Sequence, residues 1–250
     1  MALSFAARTI LEKAAVDNGF SLDEGILEGW LIWKAHAAPA TLCLTETESG
    51  YGIGSNHFGA MRELDDQSPK LSTAPPGFCA VQVKNTAALD AAAGAIWRLA
   101  RSLPDEPLRR FRTRLREPTG ATEVERWRKE RIGQDVFREA LMLFWDGACA
   151  VTGVRHPRLL RASHIVAWAE CESDAERLNV HNGLLLAAHL DAAFDAHLIT
   201  FGADGQIRFG THLSETDIIA SGLSPEMRLR RTDPETEIRL AHHRTKVMEI

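Results

Sequence analysis

The hydrophobic positions of residues 1–103 follow first a helical and then a strand-like spacing. Residues 5–18 carry apolar side chains at helical spacing, which predicts a helix. Four short apolar segments then predict strands, at residues 31–33, 41–45, 51–54 and 78–83. The Ala-rich residues 86–103 predict a second helix, which Pro104 ends because proline cannot continue a helix. This part of the chain is therefore predicted to be a small α+β domain.

After residue 121 the pattern changes to one long helix followed by short elements. Residues 122–145 are predicted to be largely helical, with a break considered at Gly133 because glycine weakens a helix interior. Four elements follow in order: a strand at 159–166, a strand at 184–187, a helix at 189–196 and a hairpin at 198–209. Residues 104–121, between the two patterns, contain prolines among arginines, which is typical of a linker. The predicted fold class is α+β, with domains over 1–103 and 122–250 joined by a basic linker over 104–121.

The composition is that of a globular protein and excludes several other classes. The 250 residues are 45% hydrophobic and 25% charged, which is enough apolar material for a sizeable core. No run of eighteen apolar residues predicts a membrane span, and the first residues lack the pattern of a signal peptide. The four cysteines are far apart and form no C-x-x-C pair, so we expect reduced thiols and no structural zinc. These features predict a cytoplasmic protein without membrane contact.

The charge is unevenly distributed along the chain. The net charge of −5 taken alone argues against a general binder of polyanions. However, residues 98–131 hold 11 of the 29 Lys and Arg residues, against 6 acidic residues. This basic segment is either a solvated helix and linker or a surface that contacts phosphates.

Four polar side chains converge in the predicted strand, strand and helix elements of the second domain. His164 lies on the first strand, and Asn182 precedes the second strand. Asp191 and Asp195 are four residues apart, so they share one face of the helix. Each also has a plain structural interpretation, since a histidine can belong to a core, an asparagine to a turn and an aspartate to a helix surface.

Five motifs occur in order across this region. They are Cys149-Ala150-Val151-Thr152-Gly153, Ala162-Ser163-His164-Ile165, Glu176-Arg177-Leu178, Asn182-Gly183-Leu184-Leu185-Leu186 and Asp191-Ala192-Ala193-Phe194-Asp195. The region resembles the HNH endonucleases, the ββα-metal nuclease family, and is most similar to a bacterial restriction-type group. The resemblance covers residues 123–248 and implies no known chemistry for the first domain.

The resemblance implies a role for each of the converging residues. His164 matches the general base, and an imidazole is suited to accept a proton from water near neutral pH. Asn182 matches the asparagine that orients this histidine and braces its loop. Asp191 stands where the family usually has a histidine, and as a hard oxygen ligand it suits Mg²⁺ or Mn²⁺. Asp195 is a second candidate ligand, and Ser163 occupies a position where some relatives have one, although a serine is a poor metal ligand. The resemblance thus implies a single divalent ion completed by water and phosphate oxygens.

Three further residues are candidates for substrate binding. Arg161 and Arg177 are suited to hold phosphates. Arg177 is equally suited to an ion pair with Asp174 or Glu176. His189 is expected to point away from the metal, where it either has a structural role or faces a phosphate.

The resemblance implies a metal-dependent endonuclease that cuts DNA, double-stranded by expectation, with no cofactor besides the metal. Restriction-type defence at the nucleoid is the first hypothesis, in which the first domain recognises a target or regulates cleavage. The alternatives are a stress-released nuclease that degrades the chromosome and a DNA-binding protein whose nuclease site has decayed. An RNA substrate and a homodimer both remain open.

Overall fold

A computed structural model describes residues 3–64, 69–115 and 123–249 of the chain. The chain divides into two units, Met1–Glu106 and Pro107–Ile250. Helices and strands occur in both units, which confirms the predicted α+β class. Among the described residues, no helix combines the length and the apolar composition that a membrane crossing needs.

The first unit is built on a five-stranded antiparallel sheet with the strands in sequence order. Its elements are α1 (Phe5–Asp17), β1 (Phe20–Leu27), β2 (Trp30–Ala35), β3 (Thr41–Thr47), β4 (Gly50–Ser55), α2 (Phe58–Glu63), β5 (Cys79–Val83) and α3 (Thr86–Ser102). Helices α1 and α3 pack on the sheet, because their buried residues recur at helical spacing. A separate apolar cluster contains Trp30, Ile32, Cys43 and Ala80.

The hydrophobic pattern predicts neither the short helix α2 nor strand β1. Strand β1 lies at one edge of the sheet, and every residue after Phe20 is exposed. An edge strand with solvent on both faces lacks the alternation of apolar and polar residues that identifies other strands. Its pairing with β2 is also irregular at two points, between Phe20 and Leu22 and between Asp23 and Gly25.

The predicted linker differs from the structure in its first part. Helix α4 (Asp105–Leu115) begins with acidic residues and ends with basic ones, an arrangement that complements the helix dipole. Phe111 is buried, and Arg110 and Arg114 form ion pairs with Glu139. Proline is tolerated in the first turn of a helix, so Pro107 does not break α4. This part of the segment is thus a packed helix rather than an irregular linker, and residues 116–122 lie outside the described part of the chain.

The second unit combines a long helix with two short hairpin sheets. Its further elements are α5 (Glu123–Phe144), β6 (Leu160–His164), α6 (Asp174–Arg177), β7 (Gly183–Ala187), α7 (Ala188–Asp195), β8 (Ile199–Phe201), β9 (Ile207–Phe209), α8 (Glu215–Ala220) and α9 (Pro234–Glu249). Strands β6 and β7 pair antiparallel, as do β8 and β9. Helix α5 continues through Gly133 without the break that was considered there.

Two arginine side chains, one on α5 and one far from it in the sequence, connect α5 to the rest of the unit. Arg138 of α5 donates to the backbone carbonyls of Leu160 and Pro157, at 2.8 and 2.7 Å, which fixes the helix to the start of β6. Arg231 donates to the carbonyl of Phe144, the last residue of α5, at 2.8 Å. The last carbonyls of a helix have no partner inside it, so this contact caps α5.

Candidate active site

The site is built on the β6–β7 hairpin and the helix that follows it. His164 pairs with Gly183 across the hairpin, and Ser163 pairs with Leu184. All five residues of β7 are buried, which anchors the hairpin in the core. Helix α7 begins directly after β7 and packs against β6. The predicted order of strand, strand and helix is therefore present, and it brings residues from both ends of the motif region together.

His164 is held by two aromatic rings and one hydrogen bond. Its ring stacks on Phe137 of α5, with centroids 3.8 Å apart, and meets the ring of Trp168 nearly at a right angle at 5.7 Å. The Nε2 atom lies 2.9 Å from the backbone carbonyl oxygen of Arg177. A carbonyl can only accept, so Nε2 carries the proton of the neutral ring and Nδ1 keeps a free lone pair.

The surroundings of His164 favour its neutral form. Burial lowers the pKa of His164, while the hydrogen bond to the Arg177 carbonyl and the charge of Asp195 act in the opposite direction. A neutral imidazole with its lone pair on Nδ1 can accept a proton from a water molecule. The predicted base thus has a suitable tautomer and charge state.

Asn182 is completely buried and fixes the loop after β6. Its side-chain oxygen accepts from the backbone N–H of Val166 at 2.9 Å, and its amide donates to the Val166 carbonyl at 3.2 Å. The amide also lies 3.3 Å from the Cys171 sulfur, further along the same loop. The side chain is used within the protein, where it holds together the loop that follows His164.

The two aspartates predicted as metal ligands lie together on α7, beside the serine that precedes His164. Ser163 donates to Asp195 at 3.0 Å. Burial and the charge of Asp195 raise the pKa of Asp191, opposed by the Ser163 hydroxyl and the charge of Arg161. Successive side chains on a strand point to opposite faces, so Ser163 reaches α7 while His164 reaches α5.

This donor set fits a hard divalent ion that keeps most of its water. Within the described ranges, no group of three or more His, Cys, Asp or Glu side chains is arranged to hold a metal. Mg²⁺ is commonly bound by one or two carboxylates together with waters and substrate phosphates. Burial and, after it, the charge of Asp195 raise the pKa of Asp191, and a cation held by these residues would offset that charge. Asp191 and Asp195, with the Ser163 hydroxyl, are therefore the residues that could hold such an ion.

The three predicted substrate-binding residues have different surroundings. Arg161 is exposed, and it donates to two backbone carbonyls close to it in sequence, those of Arg158 and Leu160. Arg177 donates to the carbonyls of Trp168 and Cys171 and forms an ion pair with Asp174 at 3.3 Å. The ion pair that was the alternative to phosphate binding for Arg177 is therefore present. His189 is exposed on α7. The structure thus brings Arg161 near the carboxylates and uses Arg177 to hold the loop.

Helix α9 and the residue before it, Asp233, supply partners behind the site. His243 stacks on Phe194 of α7 with centroids 4.0 Å apart, and His181, next to Asn182, lies 2.9 Å from Asp233. Burial raises the pKa of Asp233, but the contacts with His181 and Thr236 outweigh it and lower the pKa to about 2. These contacts join residues far apart in the sequence, so no local pattern could have revealed them.

The resemblance over residues 123–248 includes Phe137, but the local sequence does not indicate that its ring contacts His164. Phe137 is one of several buried apolar residues at helical spacing on α5, and its contact with His164 distinguishes it from the others. The glycine one turn before it, Gly133, indicates close packing on this helix, because a glycine inside a long helix usually has a packing reason, but the ring it accommodates is that of Trp168.

Comparison with known families gives one match in the second unit. Residues 149–202 match the model of a family described as HNH endonuclease. The matched segment contains β6, β7, α7 and β8, and with them every residue predicted as catalytic or metal-binding. Helix α5 lies outside the matched segment. None of the curated proteins compared with the chain matches it.

Proposed function

We propose that this chain is an HNH endonuclease that hydrolyses phosphodiester bonds in double-stranded DNA with the help of a divalent metal ion, a proposal supported by the family match over residues 149–202. The observation that carries this proposal is the hydrogen bond from His164 Nε2 to the Arg177 carbonyl. It leaves the lone pair on Nδ1 of a half-buried, neutral ring, and this is the form of histidine that a hydrolytic reaction requires as its base.

The reaction begins with proton transfer from water to His164 Nδ1. The oxygen of that water attacks the phosphorus atom, and the bond from phosphorus to the 3′ oxygen breaks. The 3′ oxygen leaves with the bonding electron pair and takes up a proton from solvent, while His164 later returns its proton to solvent. The products are a 5′-phosphate and a 3′-hydroxyl.

The carboxylates of α7 and the hydroxyl of β6 supply the rest of the site. Asp191 and Asp195, with Ser163, would hold one Mg²⁺ or Mn²⁺ ion. When bound, such an ion stabilises negative charge on the phosphate and on the leaving oxygen. Asn182 does not touch the substrate, and its hydrogen bonds keep the loop beside His164 in one conformation.

The test is cleavage of plasmid DNA by the His164→Ala variant in buffers containing Mg²⁺ or Mn²⁺. We expect the variant to lose cleavage while keeping its far-UV circular dichroism spectrum. His212 is exposed in the same unit, and His212→Ala is the matched control that should retain activity. The chelator EDTA should abolish wild-type cleavage. Cleavage undiminished in His164→Ala, or unaffected by EDTA, would be incompatible with the proposal.

For the cellular role we propose restriction-type defence in the cytoplasm, at the nucleoid. The support is the resemblance to a restriction-type group, and the first unit is proposed to recognise the target. Cleavage should then differ between methylated and unmethylated DNA, or between sequences. Equal cutting of all DNA, including that of the host, would favour the chromosome-degrading alternative. A protein that binds DNA but shows neither metal binding nor cleavage would favour the decayed site.

A further inference from the structure

The ring of His164 contacts Phe137 and Trp168. Phe137 lies on α5, and Trp168 packs against Gly133 of the same helix. The plane of Phe137 lies 16° from that of His164, so the stack limits tilting of the imidazole. The plane of Trp168 lies 89° from it, so the indole limits movement in a second direction. Histidine has a broad torsion at its second side-chain bond and would otherwise turn over a wide range.

Glycines make room for both aromatic rings. A Cβ atom on Gly133 of α5 would lie 2.2 Å from the indole of Trp168, and one on Gly183 of β7 would lie 2.4 Å from the ring of Phe137. Neither distance is possible for a real side chain, since carbon atoms in contact are about 3.5 to 4.0 Å apart. Gly183 lies opposite His164 in the hairpin. The aromatic rings therefore reach His164 because two facing positions lack a side chain.

We propose that Phe137 and Trp168 are positioning residues for the general base, and that the active site of this chain therefore extends to α5, outside residues 149–202. This inference rests on the proposed function of His164. Phe137 is 1% exposed, so it cannot touch DNA and acts only through the histidine. The hydrogen bond to the Arg177 carbonyl fixes one atom of the ring, and the two aromatic contacts fix its plane.

The first test compares two substitutions on the same helix. Phe137→Leu removes the stacked ring, whereas Phe144→Leu removes another buried ring of α5, one that contacts Trp145 and His181. Both should lower stability, since each exchanges a buried aromatic ring for a smaller side chain. Only Phe137→Leu should lower kcat, by about 10- to 100-fold, because a small misplacement of a reacting group can cost that much. Its KM for DNA should stay at the wild-type value.

The second test asks whether an aromatic ring at position 168 is sufficient. Trp168→Phe keeps a ring edge towards His164 and should retain most of the kcat that Trp168→Leu loses. Equal kcat losses in Phe137→Leu and Phe144→Leu, a loss confined to KM, or equal activity in Trp168→Phe and Trp168→Leu would each overturn the proposal.

A measurement without DNA separates this inference from the proposed function. Stacking on Phe137 places the His164 ring protons in the ring-current field of a phenyl group, so their NMR resonances should be shifted upfield in the wild-type protein. Phe137→Leu should remove that shift, and Phe144→Leu should preserve it. A preserved shift in Phe137→Leu would refute the positioning role even in an active enzyme. If the wild-type protein cuts no DNA but Phe137→Leu still removes the upfield shift, the proposed function is refuted, while the contact between Phe137 and His164 is confirmed.

Discussion

Replacing Gly133 by alanine sets helix propensity against packing, and the packing should dominate. Alanine is favoured over glycine inside a helix by about 1 kcal/mol, so Gly133→Ala would normally stabilise α5. Here the added Cβ would meet three indole atoms of Trp168, at 2.2, 3.0 and 3.1 Å. The indole cannot move away freely, since its edge lies against His164. Overpacking of this kind costs about 1 to 3 kcal/mol. The net effect should be a loss of up to about 2 kcal/mol in the free energy of unfolding.

The same substitution should change sign when the indole is absent. In a Trp168→Ala background the obstructing ring is gone, and Gly133→Ala should then stabilise the protein by about 1 kcal/mol. The two positions should therefore be coupled by about 1 to 3 kcal/mol in a double-mutant cycle. The coupling energy reports the contact between Gly133 and Trp168, because the separate effects of the two substitutions cancel in the cycle.

The assay is urea unfolding of the four proteins of this cycle, followed by far-UV circular dichroism. Hydrogen exchange of peptides from α5 assigns each change to the second unit, which matters because a protein of two units need not unfold in one step. DNA cleavage should also fall in the Gly133→Ala single variant, since Trp168 contacts His164. Stabilisation of the wild-type background by Gly133→Ala, or destabilisation in both backgrounds, would refute the argument.

Three further predictions concern the rest of the second unit. Asn182→Ala leaves buried backbone groups of the loop without partners, so it should cost about 1 to 3 kcal/mol in urea unfolding and lower kcat; unchanged values of both would contradict the assigned role. Asp191→Asn should weaken Mn²⁺ binding measured by titration calorimetry while leaving the fold intact, and unchanged affinity would remove Asp191 from the ligand set. Burial lowers the pKa of His243 from 6.5 to about 4, with a further contribution from the nearby His197. The unfolded chain then binds a proton that the folded chain does not, so the free energy of unfolding should fall by about 3 kcal/mol as the pH decreases from 6.5 to about 4. His243→Gln should flatten that fall, and an identical slope in the variant would assign it to other groups.

The elements that carry the motif were predictable because their signals are local. The apolar run of β7 and the four-residue spacing of Asp191 and Asp195 need only a few neighbouring residues to be recognised. The predicted helix over 189–196 corresponds to α7, shifted by one residue. The resemblance then added chemistry to these elements, which periodicity alone could not supply.

The elements that escaped prediction depend on distant contacts or on solvent. Strand β1 is exposed on both faces, so its stability comes from pairing with β2 rather than from burial of its own side chains. Helix α4 was obscured by Pro107, whose position in the first helical turn is known only from the structure. The stack of Phe137 on His164 joins residues separated by a turn, a loop and a strand. Gly133 was noted as a potential break in α5, whereas its actual function is to accommodate Trp168.

The cap on α5 has a consequence for the order in which the protein is made. Arg231, which donates to the last turn of α5, and His243, which stacks behind α7, both follow residue 202 in the chain. A ribosome therefore completes residues 149–202 well before it adds the side chains that hold α5 and α7 in place. During synthesis the motif is present first, and the contacts that cap α5 and pack behind α7 form last.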